Sequence, residues 1–331
     1  MKIILVGEAA NHLARLRPQL HDPAAEIRSV PAIKPGDPGF KAIADEADVV
    51  VALRIPTLPV SLTHPRLVQV PGAGLDGINF GSLPPEAAVC NVFEHEGPIA
   101  EFVLMAMLHW SIGLDQMRAG FSPATWPSVY RARVPHREIA SQTLVLLGFG
   151  RIGRAIAQRA KAVGMRVIAV DPAAGAGDGL ADAVLPPSQL HEALAQADFF
   201  AIACPLTDAT RGMVGPAELA ALPAHGVLIN VSRAEIAEEH ALFAALQDHR
   251  IAGAYLDVWY RYPGATDTDA APSTLPFLDL PNVVGTPHSS AWTLDLFERR
   301  YAVIADNINR LQAGQPLRNV VRAARPPNVA A

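Results

Sequence analysis

Residues Thr143 to Asp171, TLVLLGFGRIGRAIAQRAKAVGMRVIAVD, constrain this chain more than any other stretch. Leu144, Val145, Leu146 and Leu147 form a short apolar run of the kind that lies in a parallel sheet covered on both faces. Gly148-Phe149-Gly150-Arg151-Ile152-Gly153 follows at once. Ile152, Ile156 and Ala160 then recur at helical spacing, Ala157 and Val163 widen the apolar face, and Gly164 closes the turn. Val167 to Val170 is a second apolar run, and it ends on Asp171. Each glycine has its own task. Gly148 permits the tight turn, Gly150 lets a pyrophosphate approach the backbone, and Gly153 lets helix and strand lie close. Where the helix begins, at Arg151 and Ile152, free N–H groups and the positive end of the dipole face the phosphates. Asp171, eighteen residues after Gly153, is placed to accept both hydroxyls of an adenine ribose. Its charge repels a 2′-phosphate, so the motif favours NAD over NADP.

The 331 residues suit two domains, and with half of them apolar and 18% charged a sizeable core is available. A net charge of -5 argues against nucleic acid as a partner. Cys90 and Cys204 are the only cysteines, both in apolar surroundings, which fits a reducing compartment and no disulfide framework. The opening MKIILVGEAA has too short an apolar run for a signal peptide or a membrane span and reads as a first strand. The expectation is a soluble, cytoplasmic protein with no membrane partner and no metal site.

In chain order, strands are expected at Ile3–Val6, Val49–Leu53 and Leu67–Val70, with a helix at His12–Leu20. A first parallel α/β unit thus occupies roughly residues 1–95. The loop Val70-Pro71-Gly72-Ala73-Gly74-Leu75-Asp76 leaves the C-terminal end of a strand, where open α/β sheets bind ligands. Glu101–Leu114 is a helix apolar almost all round, and such a helix is buried between domains or subunits. Gly120–Arg137 lacks periodicity and reads as an arm or linker. After Asp171 come a Gly/Ala/Pro stretch, a helix at Ser188–Gln196 and a strand at Phe199–Cys204. A helix at Pro216–Leu222 and a strand at Val227–Val231 follow, then a helix at His240–Gln247 and a strand at Ala254–Val258. The long loop Trp259–Pro281 has the marks of a functional segment. Leu294–Leu311 is the last helix.

Seven blocks in this order resemble the D-isomer-specific 2-hydroxyacid dehydrogenase family. They are VPGAGLDGIN at 70–79, PIAE at 98–101, LGFGRIG at 147–153, CPLTDATRGMV at 204–214, LINVSRAE at 228–235, GAYLDVW at 253–259 and TPHSSAWT at 286–293. The resemblance implies an α/β chain of two doubly wound parallel-sheet domains, with a Rossmann NAD-binding domain at 99–288 inserted into a flavodoxin-like substrate domain made of 1–98 and 289–331. It implies a homodimer built on the 100–120 helix and hydride transfer between NAD and a small carboxylate substrate. Arg233 matches the family's catalytic arginine, and a guanidinium suits the task because it stays charged and holds a carboxylate or carbonyl with forked donors. His288 matches the acid/base histidine, whose ring titrates near neutrality. The amides of Ala73 and Gly74 match those that hold the substrate carboxylate. Asp257 matches the aspartate at the cofactor's carboxamide region, with Val231, Ser232 and Ser290 beside it. Cys204, Pro205 and Thr210 match the loop lining the cofactor.

The chain also departs from the pattern. Five residues after Asp257, where most relatives carry the glutamate that pairs with the histidine, stands Tyr262. A phenol hydrogen-bonds but brings no negative charge near neutrality. Tyr262 is therefore a catalytic candidate that orients the ring through its hydroxyl. His288 should then be less protonated, and reduction should weaken as pH rises through about 6 to 7. His95, flanked by Glu94 and Glu96, and Arg54 are further candidates for the substrate pocket. Pro56 replaces a basic residue that phosphoglycerate dehydrogenases offer, which favours an unphosphorylated 2-oxo or 2-hydroxy acid, of the glyoxylate or hydroxypyruvate type. Trp259, Tyr260, Tyr262 and Trp292 are expected to line an aromatic pocket. The competing readings are a non-catalytic NAD-sensing interaction protein and a dehydrogenase of formate or phosphite.

Overall fold

The computed structural model describes residues 1–31, 38–173, 175, 179–263 and 268–324. The chain divides into two compact units, Met1–Glu94 with Thr293–Ala331, and His95–Trp292. These seams lie at 94/95 and 292/293, where the resemblance implies 98/99 and 288/289. Parts of three expected segments fall outside the described residues: the Gly/Ala/Pro stretch at 174 and 176–178, the long loop at 264–267, and the end of the first domain at 325–331.

Among the described residues, thirteen strands form two sheets. The first unit opens with β1 (Lys2–Val6), β2 (Glu26–Val30), β3 (Val49–Val51), β4 (Leu67–Gln69) and β5 (Ala88–Cys90). The second holds β6 (Thr143–Leu147), β7 (Arg166–Val170), β8 (Ala183–Leu185), β9 (Phe199–Ile202), β10 (Val227–Asn230), β11 (Gly253–Leu256) and β12 (Val283–Gly285). The last strand, β13 (Val320–Arg322), returns to the first unit.

The first sheet runs β13-β5-β4-β3-β1-β2. Its pairings are parallel except the last, where β13 lies antiparallel to the edge strand β5, so this sheet is not purely parallel. The central strands β3 and β4 are buried throughout; β3 is wholly apolar, as a strand covered on both faces requires, and β4 ends on the buried amide of Gln69. The helix Leu294–Gln312 lays Tyr301, Ile304 and Ile308 into the same core as Leu5, Val49 and Leu67. A buried amide network ties that helix down. Asn307 Nδ2 donates to Gln69 Oε1 at 2.8 Å, and Asn307 Oδ1 accepts from Arg318 N–H at 2.8 Å. Both amide side chains are fully buried, so each polar atom left unpaired would carry its desolvation cost.

The second sheet runs β12-β11-β10-β9-β6-β7-β8 with every pair parallel. Alternation divides its apolar residues between two cores. Leu144 and Leu146 join Val103, Met107 and Ile156 on one face, while Val145 and Leu147 join Phe200, Leu228 and Leu242 on the other. The chain reverses direction across the sheet at β6, so a crevice opens beyond its C-terminal end.

Local differences from the sequence reading have local causes. His12–Leu20 breaks into three short helical pieces, and Gly120–Arg137 contains a helix at Trp126–Arg131. The strands β2, β5, β8, β12 and β13 are not among those expected from the sequence, because they are short, or carry charge or partial exposure. The long apolar helix spans Glu96–Ile112 and stops where Gly113 takes φ +67°. Among the described residues no helix is long and apolar enough to cross a membrane.

Asn307→Ala strands the buried Gln69 Oε1 and frees the Arg318 N–H. It should lower unfolding free energy by about 1–3 kcal/mol per abandoned group, measured by urea denaturation.

Candidate active site

The turn from β6 into the helix Arg151–Ala162 is set by close backbone approach. Gly148 takes φ +100°, and a Cβ there would lie 2.6 Å from the Cys204 nitrogen. A Cβ on Gly153 would lie 2.2 Å from the Gly148 carbonyl oxygen. Gly150 differs: the space beside it is open, with no heavy atom within 4 Å of a Cβ. The helix it precedes has no side-chain cap, so its first N–H groups are offered outward. Open space over uncapped amides fits a pyrophosphate. Arg151, exposed, sits 3.8 Å from Glu96, and Ile152 packs on the core below. Asp171 accepts from Phe149 N–H at 2.8 Å and Ala173 N–H at 2.9 Å, one on each carboxylate oxygen. A second lone pair on each oxygen remains for ribose hydroxyls.

Further along the same edge, Cys204 and Pro205 follow β9, and Val231, Ser232 and Arg233 follow β10. The Ser232 hydroxyl donates to the Cys204 carbonyl and so joins the two loops. Burial pushes the Cys204 thiol up to about 11, which keeps it a neutral packing group. Thr210 donates to the Pro205 carbonyl at 2.7 Å and accepts from Thr207 N–H at 2.8 Å, closing its own turn. Asn230, nearly fully buried, donates to the Arg233 carbonyl at 3.0 Å and accepts from Ser232 N–H at 3.1 Å. It shapes the arginine loop from beneath, a role that was not foreseen.

Asp257 follows β11 and is fully buried. Its Oδ1 accepts from the Thr286 hydroxyl at 2.6 Å and Ser289 N–H at 2.8 Å, and its Oδ2 accepts from Ser290 N–H at 3.0 Å. The carboxylate thus clamps the loop after β12, within which His288 takes φ +55°. Trp259 adds a second tie, donating from its indole nitrogen to the Thr286 carbonyl at 2.8 Å. Tyr262 lies with its hydroxyl 2.9 Å from His288 Nδ1 and 3.1 Å from the donating Trp259 N–H. Burial pushes the Tyr262 phenol up, while the Trp259 N–H and the Arg233 charge pull it down. Arg233, Tyr262 and His288 therefore meet at one edge of the second sheet.

The remaining candidates are dispersed. His95 stands at the N-terminus of the helix Glu96–Ile112. Arg54, Ala73 and Gly74 belong to the first unit. There, Asn91 donates to the Ala73 carbonyl at 3.0 Å and Val92 N–H to the Gly72 carbonyl at 3.1 Å, holding the loop after β4 in shape. The expected aromatic pocket splits. Trp259 is buried, and Tyr260 packs on Phe277 and donates to the Ala237 carbonyl, so both serve the core. Tyr262 and Trp292 are exposed. Among the described residues no cluster of His, Cys, Asp or Glu is placed to hold a metal ion.

A glycine turn and an anchored aspartate at the ends of parallel strands define the class: a dinucleotide-binding α/β protein. Residues 104–290 match the family described as D-isomer specific 2-hydroxyacid dehydrogenase, NAD binding domain, and the chain belongs to that family. It is similar to the (S)-sulfolactate dehydrogenase of Chromohalobacter salexigens, 31% identical over 247 residues, 74% of this chain and 77% of that protein. It is also similar to the D-3-phosphoglycerate dehydrogenase of Methanocaldococcus jannaschii, 31% identical over 264 residues, 77% of this chain but 47% of that protein. The matched part thus spans about half the length of that relative. The solved 2-hydroxyacid dehydrogenase of Ketogulonicigenium vulgare Y25 shares the fold, with a TM-score of 0.75 at 24% identity over 98% of this chain and 99% of that one.

Gly150→Ala places a methyl in open space, where a Cβ meets no heavy atom within 4 Å. It should leave the unfolding transition in place while weakening NADH binding, read by fluorescence titration, by more than about tenfold. Gly153→Ala drives a methyl into the Gly148 carbonyl and should instead cost about 1–3 kcal/mol of stability.

Proposed function

We propose that this chain is an NAD-dependent dehydrogenase that interconverts small, unphosphorylated 2-hydroxy and 2-oxo acids. The observation that carries the reading is the meeting of Arg233 and the Tyr262–His288 pair beside a glycine turn whose open space suits a pyrophosphate. Gly148, Gly150, Arg151, Ile152 and Gly153 hold the phosphates, and Asp171 takes the ribose. Val231, Ser232, Asp257 and Ser290 shape the nicotinamide end. Bound NADH supplies the hydride that reaches the carbonyl carbon.

The remaining chemistry belongs to the side chains. The Arg233 guanidinium draws electron density toward the substrate oxygen. His288 gives a proton to that oxygen in reduction and takes it back in oxidation. In the first unit the N–H groups of Ala73 and Gly74 make no hydrogen bond among the described residues, which suits them to a carboxylate. Arg54 is followed by Ile55 and Pro56 rather than by a second cation, which argues against a phosphorylated substrate.

A homodimer belongs to the same reading. Met105, Leu114, Met117, Phe121, Trp126, Tyr130 and Val134 are all exposed within thirty residues of chain. A monomer seldom leaves so much apolar surface in one run. The two free, buried cysteines agree with work in a reducing cytoplasm.

Oxidation of NADH should be seen with glyoxylate, hydroxypyruvate or a related 2-oxo acid. His288→Asn and Arg233→Ala should each lower kcat/KM by about 10²–10⁴ without changing NADH affinity. Tight NADH binding with no turnover of any 2-oxo acid would sink the enzyme reading in favour of a sensor, and turnover of formate or phosphite alone would change the substrate. Sedimentation should report a dimer, and Met117→Glu paired with Trp126→Glu should yield monomers.

A further inference from the structure

We propose that Tyr262 is a positioning residue that sets the tautomer of His288 and refills it with a proton, so that the neutral pair, rather than an imidazolium, serves ketone reduction. This rests on the function proposed above and deepens it.

Two atoms meet the Tyr262 oxygen. The Trp259 N–H can only donate, and it reaches that oxygen at 3.1 Å. His288 Nδ1 lies on its other side at 2.9 Å. One lone pair of the phenol is thereby committed, its own proton is left to give, and Nδ1 is the acceptor within reach among the described residues. A neutral imidazole that accepts at Nδ1 carries its proton on Nε2. A glutamate at this position does the reverse. Being acceptor-only, an ionised carboxylate draws a proton onto Nδ1 and leaves Nε2 as a base. The substitution at 262 therefore turns the working nitrogen of the neutral ring from acceptor to donor.

The proton path balances. As the carbonyl carbon gains its hydride, the π pair of the C=O bond moves onto oxygen, and that oxygen takes the Nε2 proton. The pair of the broken N–H bond stays on the ring. Nδ1 then takes the Tyr262 proton and leaves a phenolate; solvent next protonates Nε2 while Nδ1 returns its proton to the phenolate, which restores the starting tautomer. The carbonyl is reduced by one hydride and one proton, and the nicotinamide is oxidised. An alkoxide is a stronger base than a phenolate, so the proton runs toward substrate. The charged groups felt at the phenol are Arg233, which favours the phenolate, and Asp257 and Glu235, which oppose it. Burial adds to the opposition, so the pair keeps its proton through the neutral range and beyond. The fading of reduction between about pH 6 and 7, expected from an imidazolium donor, is then not required.

The test joins two readouts on the full chain. Reduction of a 2-oxo acid is followed from pH 6 to 9 with saturating NADH and with its 4-deuterated form, which identifies the pH range where hydride transfer limits the rate. Histidine ring nitrogens are read by ¹H–¹⁵N NMR, with His288→Asn assigning the signal. The wild-type rate should be level across the range, and the neutral ring should carry its proton on Nε2. Tyr262→Phe should lose activity tenfold per unit above about pH 7, and Tyr262→Glu should move the proton to Nδ1. A wild-type rate that falls in the same way as that of Tyr262→Phe, or a neutral ring protonated on Nδ1, overturns the proposal. Failure of the functional reading looks different: no 2-oxo acid is turned over, and the tautomer is still read by NMR.

Discussion

One buried carboxylate holds the working end of the second unit together. Asp257 has no exposed surface, and a bare charge in that position would be prohibitive. Three donors make it tolerable, and all three come from the segment Thr286 to Ser290. The same bonds that satisfy the charge fix the backbone on either side of His288. A non-glycine residue in the left-handed region costs on the order of 1–3 kcal/mol and persists only where its surroundings over-determine it. Here Asp257 from one side and the Trp259 indole from the other supply that constraint. The backbone that carries His288 is thus held by a residue thirty-one positions earlier in the chain.

The parallel sheet is what lets residues so distant in sequence act together. Every strand of the second sheet points the same way, so the loops after β6, β9, β10, β11 and β12 all open at one edge. Glycines let these loops close up. With any side chain at 148 the β6 turn would strike the Cys204 backbone, and with any at 153 the helix would strike the turn. Gly150 is the exception, since the space it leaves is open rather than filled by protein. That contrast within a single motif separates the glycines needed for folding from the one that leaves room for a ligand.

On the reading proposed for Tyr262, position 262 alters the proton inventory of the site. A carboxylate there would act on the imidazole through charge. The phenol acts through the direction of one hydrogen bond, and that direction is set by the Trp259 amide. On the proposed reading, a single donor–acceptor reversal at position 262 changes which ring nitrogen carries the proton.

The amino-acid sequence alone determined the alternation of buried strands and helices, the glycine turn with its aspartate, and the pairing of Arg233 with His288 as candidates. The first two are carried by local spacing, which apolar periodicity and turn chemistry record, whereas Arg233 and His288 were candidates through the resemblance of their motifs to a family. It could not announce β13 or β2, whose short, charged or half-exposed runs become strands only beside a neighbour. Nor could it separate Trp259 and Tyr260, which went into the core, from Tyr262 and Trp292, which did not, because four aromatics in a loop look alike until packing assigns each a side. Asn230 and the clamp formed by Asp257 were decided by tertiary structure alone. A buried polar group finds its partners across strands that are far apart in the chain, and no linear pattern encodes which donors the folded sheet will bring to it.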